Sequence, residues 1–159
     1  MSEFEIRDEP RRRTAVVHGS LAPDGIPAFM SLAFPAVFHA ITAAGFRPGD
    51  APFSRYFAVG PDRIELETGA PIAEMPGLPE RAFEGSGEVQ PGELPAGPVA
   101  VGVHTGPYET IGETYQRMLA WVDEQGREPS GPMWEVYLTD PSAEPDPATW
   151  RTRIFIPLA

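Results

Sequence analysis

The 159-residue sequence contains no cysteine, no lysine and no asparagine. Without cysteine it has no disulfide, no thiolate nucleophile and no Cys-based zinc or iron–sulfur site. The absence of lysine excludes a Schiff-base nucleophile and the lysine of a phosphate-binding loop. The absence of asparagine removes every N-glycosylation sequon. Any catalysis by this chain must therefore depend on carboxylate, histidine, tyrosine and water.

Basic residues are scarce: the chain has 12 arginines and 23 acidic residues, which gives a net charge of −11. This excess argues against direct DNA binding and against an anionic membrane surface, but it is compatible with a cationic or neutral small ligand. The N-terminal segment lacks a signal-peptide pattern. The longest apolar run, residues 33–44, is too short to span a bilayer. We therefore expect a cytoplasmic protein with no membrane association.

Proline and glycine divide the chain into short patterned segments, with 20 and 16 copies, respectively. A hydrophobic content of 42% and this length predict a single domain over residues 1–159. Periodicity predicts two helices, at 26–44 and 107–125, that end at Gly45 and Gly126. Pro35 either begins the main part of the first helix or kinks it, and Gly106 or Thr105 caps the second. The apolar stripe predicted for the second helix comprises Ile111, Tyr115, Met118, Leu119 and Val122. Predicted strands cover 4–7, 13–18, 53–59, 63–67, 99–104, 133–139 and 150–156.

The two halves of the chain resemble each other. Corresponding pairs are His18 with His104, Gly45 with Gly126, and Tyr56 with Tyr137. These pairs predict an α+β fold of duplicated β-α-β-β units, with pseudo-repeats at about 1–73 and 88–159. The Gly/Pro/Glu-rich segment 74–90 is interpreted as their connection. Two such units make an antiparallel sheet with both helices on one face, and the other face remains free for binding.

A carboxylate interrupts the apolar segment 133–138. Strand alternation separates two sets: Trp134, Val136 and Leu138, expected to pack on the helices, and Met133, Glu135 and Tyr137, expected on the opposite face. Glu135 either faces water or pairs with Arg153 of the neighbouring strand. Alternatively, it binds a ligand cation that also contacts the ring of Tyr137.

A series of motifs in the C-terminal half has a recognisable order and spacing. They are Gly106-Pro107-Tyr108-Glu109, Tyr115, Trp121-Val122, Gly126, Gly131-Pro132, Trp134-Glu135-x-Tyr137, Asp140-Pro141, Trp150-Arg151-Thr152 and Ile156-Pro157-Leu158. The series resembles the GyrI-like small-molecule-binding domain, which also serves as the effector-binding domain of AraC- and MerR-type transcription activators. The likeness is dense over residues 97–159 and looser in the N-terminal half. Because the domain takes up all 159 residues, we expect the stand-alone form, without a DNA-binding module.

The resemblance implies an aromatic-lined ligand pocket near the pseudo-twofold axis and a buried acid that meets cationic aromatic ligands. Glu135 matches that acid. The other candidate ligand-binding residues are Tyr137, Tyr108, Phe155, Trp134 and Met133. For three of them a purely structural role is the alternative to ligand binding. Tyr108 would then cover the first turn of its helix, and Phe155 and Trp134 would pack in the core. We expect no metal and no cofactor, and the oligomeric state is left open.

Other chemistry has weaker support. His18 and His104 are interpreted as turn-stabilising residues in equivalent turns, and His39 as a residue on a helix flank. Acidic residues crowd the loop 140–149 without the spacing of a calcium loop. No serine lies in a nucleophile elbow, and no glycine-rich nucleotide motif is present.

Three functions are compatible with these observations. The favoured one is binding of amphipathic, aromatic, often cationic small molecules, for sequestration or sensing rather than catalysis. The alternative is a hydrolase of reactive, cyclopropane-containing DNA-alkylating compounds, with Glu135 acting on water. The second alternative is an inhibitor that interacts with DNA gyrase.

Overall fold

The structure is a computed structural model that describes residues 3–74, 87–140 and 143–159. Among these residues it has an α+β fold of eight strands and two α-helices, as predicted. The strands are β1 (Glu5–Glu9), β2 (Arg12–Leu21), β3 (Phe53–Val59), β4 (Ile64–Pro71), β5 (Val89–Leu94), β6 (Gly97–Thr105), β7 (Trp134–Tyr137) and β8 (Arg151–Pro157). The helices are α1 (Ile26–Ala43) and α2 (Ile111–Glu124). Short 3-10 turns at Pro23–Gly25, Tyr108–Thr110 and Pro147–Thr149 precede α1, α2 and β8.

The chain divides into two compact units. The N-terminal unit is Arg11–Pro95, and the C-terminal unit combines Met1–Pro10 with Ala96–Ala159. These units differ from the pseudo-repeat boundaries expected from the sequence, because β1 pairs with β6 and β5 pairs with β2.

Strand β5 corrects part of the predicted connection. Its first residues fall within the segment 74–90, of which residues 75–86 lie outside the described part of the chain. Pro91 and Gly92 interrupt the apolar pattern of β5 and hide it in the sequence. An edge position tolerates proline because one side of an edge strand needs no backbone donor.

Both units have the same strand order, which confirms the predicted duplication. The order is β3-β4-β2-β5 in the N-terminal unit and β7-β8-β6-β1 in the C-terminal unit, and the neighbouring strands are antiparallel. The helix ends repeat as well. Gly45 has φ 88° and Gly126 has φ 71°, which glycine adopts without a Cβ penalty. Phe46 N donates to Ile41 O at 3.0 Å, and Arg127 N donates to Val122 O at 3.1 Å.

The core of the N-terminal unit lies between α1 and its strands. One face of α1, formed by Ala33, Val37, Ala40 and Ile41, packs on Ala15, Val17, Ala70, Ile72 and Val89. Val37 and Ile41 are completely buried, and each such burial stabilises the fold by about 1.5–3 kcal/mol. Pro35 lies inside α1, so the predicted helix is one continuous element.

The segment Pro23–Ala43 is long and apolar enough to cross a membrane, with a mean hydropathy of 1.6. It is therefore longer than the apolar run 33–44 considered from the sequence. Length and composition alone do not distinguish a membrane span from a core helix, and α1 contributes four buried residues to the core of its unit.

The core of the C-terminal unit lies between α2 and its strands. Met118 and Val122 pack on Phe4, Ala100, Ile154, Ile156 and Leu158. The predicted apolar stripe of α2 is right for Met118 and Val122 and wrong for Leu119, which is 40% exposed. Thr114 is buried instead, because its hydroxyl bonds to a buried histidine.

Candidate ligand-binding site

Glu135 of β7 is a buried carboxylate with a relative exposure of 7%. Its Oε2 accepts a hydrogen bond from Tyr115 Oη of α2 at 2.7 Å. Its Oε1 accepts a longer and weaker bond from Tyr137 Oη at 3.3 Å. In the part of the chain that is described, no arginine or histidine forms an ion pair with it. The charge of Glu135 is thus stabilised by two hydroxyl groups and lacks a cationic partner among these residues.

The orientation of β7 is opposite to the predicted one. Glu135 pairs with Ile154 of β8, which belongs to the core under α2, and it is bonded by Tyr115 of that helix. Glu135 therefore lies on the helix-covered face of its sheet. Trp134 and Val136 lie on the other face, together with Phe155 and Arg153. The interpretation of Glu135 as the partner of Arg153 is consequently wrong, because residues on opposite faces do not meet.

Burial controls the acidity of this site. Removal of water raises the pKa of Glu135, and the hydrogen bonds from Tyr115 and Tyr137 oppose that rise only in part. Burial also raises the pKa of Tyr108, as do the negative charges of Glu135 and Asp140. Tyr108 therefore lies within the electrostatic range of the Glu135 carboxylate. A cation placed beside Glu135 would favour its ionised form.

Three aromatic rings form a series of contacts that begins at the carboxylate: Tyr137 bonds to Glu135, Tyr108 packs on Tyr137, and Trp150 packs on Tyr108. Tyr108 meets Tyr137 edge to face, with ring centroids 5.9 Å apart, and lies 5.1 Å from the ring of Trp150 at an angle of 34°. Trp150 is anchored by its indole N–H, which donates to Glu144 O at 2.8 Å. Tyr108 keeps 37% of its surface exposed. The Glu135 site, as we define it, comprises Glu135, Tyr115, Tyr137, Tyr108 and Trp150, and combines a buried negative charge with ring faces that attract cations.

The remaining sequence-predicted residues lie elsewhere. Trp134 and Phe155 stack on each other on the opposite face of the sheet, at 5.2 Å and 11°. The guanidinium of Arg7 lies 5.8 Å from the Phe155 ring on the same face. Met133 packs against the core under α2. The structure thus brings Tyr137 and Tyr108 together with Glu135, but not Trp134 or Phe155.

Sequence reasoning missed Tyr115 and Trp150 as site residues. The pattern predicts Tyr115 as a member of the motif series and of the apolar stripe of α2, without a role in ligand binding. A tyrosine in such a stripe needs a hydrogen-bond acceptor for its hydroxyl, and that need is a signal for a nearby polar group such as Glu135. Trp150 has no comparable signal, because it is brought to Tyr108 by the turn before β8.

Of the two equivalent strand positions in the duplicated fold, only the one in the C-terminal unit has a carboxylate. The pairing of β3 with β4 matches that of β7 with β8, and it places Ser54 at the position equivalent to Glu135. Ser54 is completely buried, and its hydroxyl shares a hydrogen bond with Thr68 Oγ1 at 2.9 Å. The N-terminal unit satisfies this position internally with two neutral groups, whereas the C-terminal unit carries a charge there.

The two predicted turn histidines are not equivalent. Both lie in strands, His18 in β2 and His104 in β6. His18 is exposed and lies 3.0 Å from Glu65 Oε1 of β4, so this contact joins two strands and not a turn. His104 is buried and bonded to the turn before α2, and for this residue the predicted role is confirmed. His39 is exposed on α1, as expected.

The acidic loop before β8 is bonded to its own backbone. Asp146 Oδ1 accepts from Ala148 N at 3.1 Å, and Glu144 Oε1 accepts from Asp146 N at 3.3 Å. Across the described residues, no group of three or more His, Asp or Glu side chains is arranged to hold a metal ion.

Thr152 provides a test of the packing beside the site. It is completely buried between His104 and Tyr137 in the strand pairing, and its hydroxyl has no hydrogen-bond partner in the described structure. An unsatisfied buried hydroxyl is unfavourable, so Thr152→Val is expected to raise the free energy of unfolding by about 1 kcal/mol. Chemical denaturation measures this change. Thr114→Val is the matched control and should destabilise the protein, because its hydroxyl bonds to His104 and Arg117. A loss of stability in Thr152→Val would contradict the assignment.

The fold is that of an α+β domain, and the comparison with protein families identifies the kind of domain. The model of the GyrI-like small molecule binding domain matches residues 2–159, so the chain belongs to this family. No curated protein sequence matches the chain significantly.

Several solved structures share the fold. The EcmrR C-terminal domain has a TM-score of 0.81 at 16% identity, and the alignment covers 98% of this chain and 96% of that one. EcmrR in its complex with DNA has a TM-score of 0.80 at 17% identity, and the chain spans only 56% of its length. A Listeria innocua hydrolase encoded by lin2189 has a TM-score of 0.71 at 18% identity, with 98% and 91% of the two chains covered. SAV2435 bound to tetraphenylphosphonium has a TM-score of 0.64 at 10% identity, with 99% and 94% covered. At these identities the likeness concerns the fold.

Proposed function

We propose that this protein binds amphipathic aromatic cations at the Glu135 site. The observation that carries the proposal is a buried carboxylate that has two tyrosine donors and no cationic partner among the described residues. Such a charge is unfavourable when it is dry and unpaired, and a ligand cation is the group that would compensate it.

The rings near the carboxylate support a ligand that is both aromatic and positively charged. Tyr108 packs on Tyr137, which bonds to Glu135, and Trp150 packs on Tyr108. A cation against the face of such a ring gains about 0.5–2 kcal/mol in addition to the energy of apolar burial. The fold relative SAV2435 binds tetraphenylphosphonium, a cation surrounded by phenyl rings. The net charge of −11 further favours cations over anions in the approach to the site.

Calorimetric titration with two ions of equal size tests this function. Tetraphenylphosphonium and tetraphenylborate have nearly the same shape and opposite charge, so their comparison isolates the electrostatic contribution. We expect the cation to bind at least tenfold more tightly than the anion. Equal binding of both ions, or preference for the borate, would refute cation recognition.

A hydrolase is the second candidate, and the carboxyl group is again the reason. Glu135 has a raised pKa beside two tyrosine hydroxyls, which suits a group that exchanges protons with a substrate or with water. The Listeria innocua relative encoded by lin2189 is described as a hydrolase. Incubation with a cyclopropane-containing alkylating compound, followed by mass spectrometry, would reveal the ring-opened product. Turnover equal to that of a Glu135→Ala control would reject this alternative.

A further inference from the structure

His104 is a buried residue outside the Glu135 site, and its ring makes hydrogen bonds with both nitrogens. Nδ1 lies 2.7 Å from Thr114 Oγ1 of α2. Nε2 lies 3.0 Å from Pro107 O and 3.2 Å from Thr110 Oγ1, both in the turn between β6 and α2. The relative exposure of His104 is 5%. One side chain thus links a strand, a turn and a helix.

The chemistry of its partners fixes the direction of these bonds. A carbonyl oxygen only accepts, so Nε2 carries the proton and donates to Pro107 O. In the neutral ring, Nδ1 then accepts from the Thr114 hydroxyl, which itself accepts from Arg117 Nη2 at 3.3 Å. The ring therefore holds the carbonyl of Pro107 at a defined place. The residue that follows this carbonyl is Tyr108.

The same turn also contacts Trp150, the ring on which Tyr108 packs. Gly106 N donates to Trp150 O at 2.8 Å, while Tyr108 packs against the Trp150 ring and against Tyr137. The position of Tyr108 relative to Glu135 thus depends on the path of the chain from residue 104 to residue 108. The hydrogen bonds of the His104 ring to Pro107 O and Thr110 Oγ1 fix that path.

The N-terminal unit shows that the repeated fold does not require a histidine here. Its strand pairing places Gly19, opposite Leu66, where the C-terminal unit has His104 opposite Thr152. The space beside Gly19 is filled by the ring of Phe29 from α1, which would lie 2.7 Å from a Cβ at Gly19. In the N-terminal unit, which has Ser54, an apolar ring fills this space. In the C-terminal unit, which has Glu135, a hydrogen-bonded imidazole lies at the equivalent position.

We infer that His104 is a positioning residue of the Glu135 site, which holds the 104–108 turn so that Tyr108 forms the ring wall for an aromatic cation. The inference rests on the proposed function and assigns His104 no contact with the ligand. It acts through Tyr108. Its loss should therefore matter only while the Tyr108 ring is present.

A double-mutant cycle with tetraphenylphosphonium tests this dependence. His104→Leu and Tyr108→Ala are each expected to weaken binding about fivefold, and the double variant should bind no more weakly than Tyr108→Ala. His104→Gln keeps a donor and an acceptor and should restore most of the affinity. His18→Leu, an exposed histidine in the equivalent strand, should bind as the wild type does. Independent losses that multiply in the double variant, or unchanged affinity in His104→Leu, would overturn the inference.

A second measurement separates this inference from the proposed function. If the wild-type protein binds no tetraphenylphosphonium, the proposed function fails, and the position of Tyr108 can still be measured without ligand. The near-ultraviolet circular dichroism of the Tyr108–Trp150 pair should then change in His104→Leu as it does in Tyr108→Ala, and recover in His104→Gln. A spectrum of His104→Leu identical to that of the wild type would overturn the positioning role.

Discussion

Replacement of Glu135 by glutamine is expected to weaken binding of tetraphenylphosphonium about 30-fold or more. Removal of one partner of a buried charge pair costs about 2 kcal/mol or more, and 1.4 kcal/mol corresponds to a factor of ten. Glutamine keeps the size of the side chain and can still accept a hydrogen bond from Tyr115, so the loss isolates the charge. Titration calorimetry of the wild type and the variant measures the difference.

The same substitution is expected to stabilise the free protein at neutral pH. Burial raises the pKa of Glu135 above its ordinary value of 4.5, so the folded protein holds this proton more tightly than the unfolded chain does. The stability of the wild type should therefore fall, relative to Glu135→Gln, as the pH rises from about 4.5 through the raised pKa. Cation affinity should rise over the same interval, since the cation binds the ionised form.

An exposed glutamate on the same unit is the control for these measurements. Glu113 lies on the solvent side of α2, and Glu113→Gln removes the same charge without touching the site. It should change neither cation affinity nor the pH dependence of stability beyond the effect of one surface charge. Equal effects of Glu135→Gln and Glu113→Gln on affinity would mean that Glu135 acts only through the net charge of the protein.

The largest loss of stability is expected for Trp134→Ala, at about 3–5 kcal/mol, as for other buried aromatic side chains. Trp134 is 3% exposed, and its ring stacks on Phe155 at 5.2 Å, so truncation removes both apolar burial and an aromatic pair. Because this pair lies on the face opposite Glu135, the folded variant should retain its affinity for tetraphenylphosphonium. Urea denaturation and calorimetry below the unfolding transition measure the two quantities.

Trp150→Ala is the matched comparison, with the opposite expectation. Trp150 is half-buried and packs on Tyr108 of the site, so its truncation should reduce cation affinity several-fold with a smaller loss of stability. A Trp134→Ala variant that loses affinity as strongly as Trp150→Ala does would place the ligand on the Trp134–Phe155 face.

The sequence predicts the elements of this fold better than it predicts the orientation of β7. Alternation correctly separates Trp134 from Glu135, because that separation is a property of any strand. It does not say which set faces the helix, since both sets contain aromatic residues. The deciding group is the hydroxyl of Tyr115, which comes from α2 and makes the helix-covered face suitable for a carboxylate.

The histidines and β5 illustrate the same limit. Similar turns in the two halves suggested that His18 and His104 are equivalent, but the strand pairing aligns His104 with Gly19 and puts His18 on the other face. Strand β5 is hidden by Pro91 and Gly92, which local pattern associates with a turn. In each case the outcome depends on pairing between distant segments, which local sequence does not encode.

The most direct test of the central claim is a crystal structure of the protein with bound tetraphenylphosphonium. The account predicts that the cation lies beside the Glu135 carboxylate, with a phenyl ring against Tyr108 or Trp150. A cation bound against Trp134 and Phe155, with Glu135 still bonded only to Tyr115 and Tyr137, would contradict it.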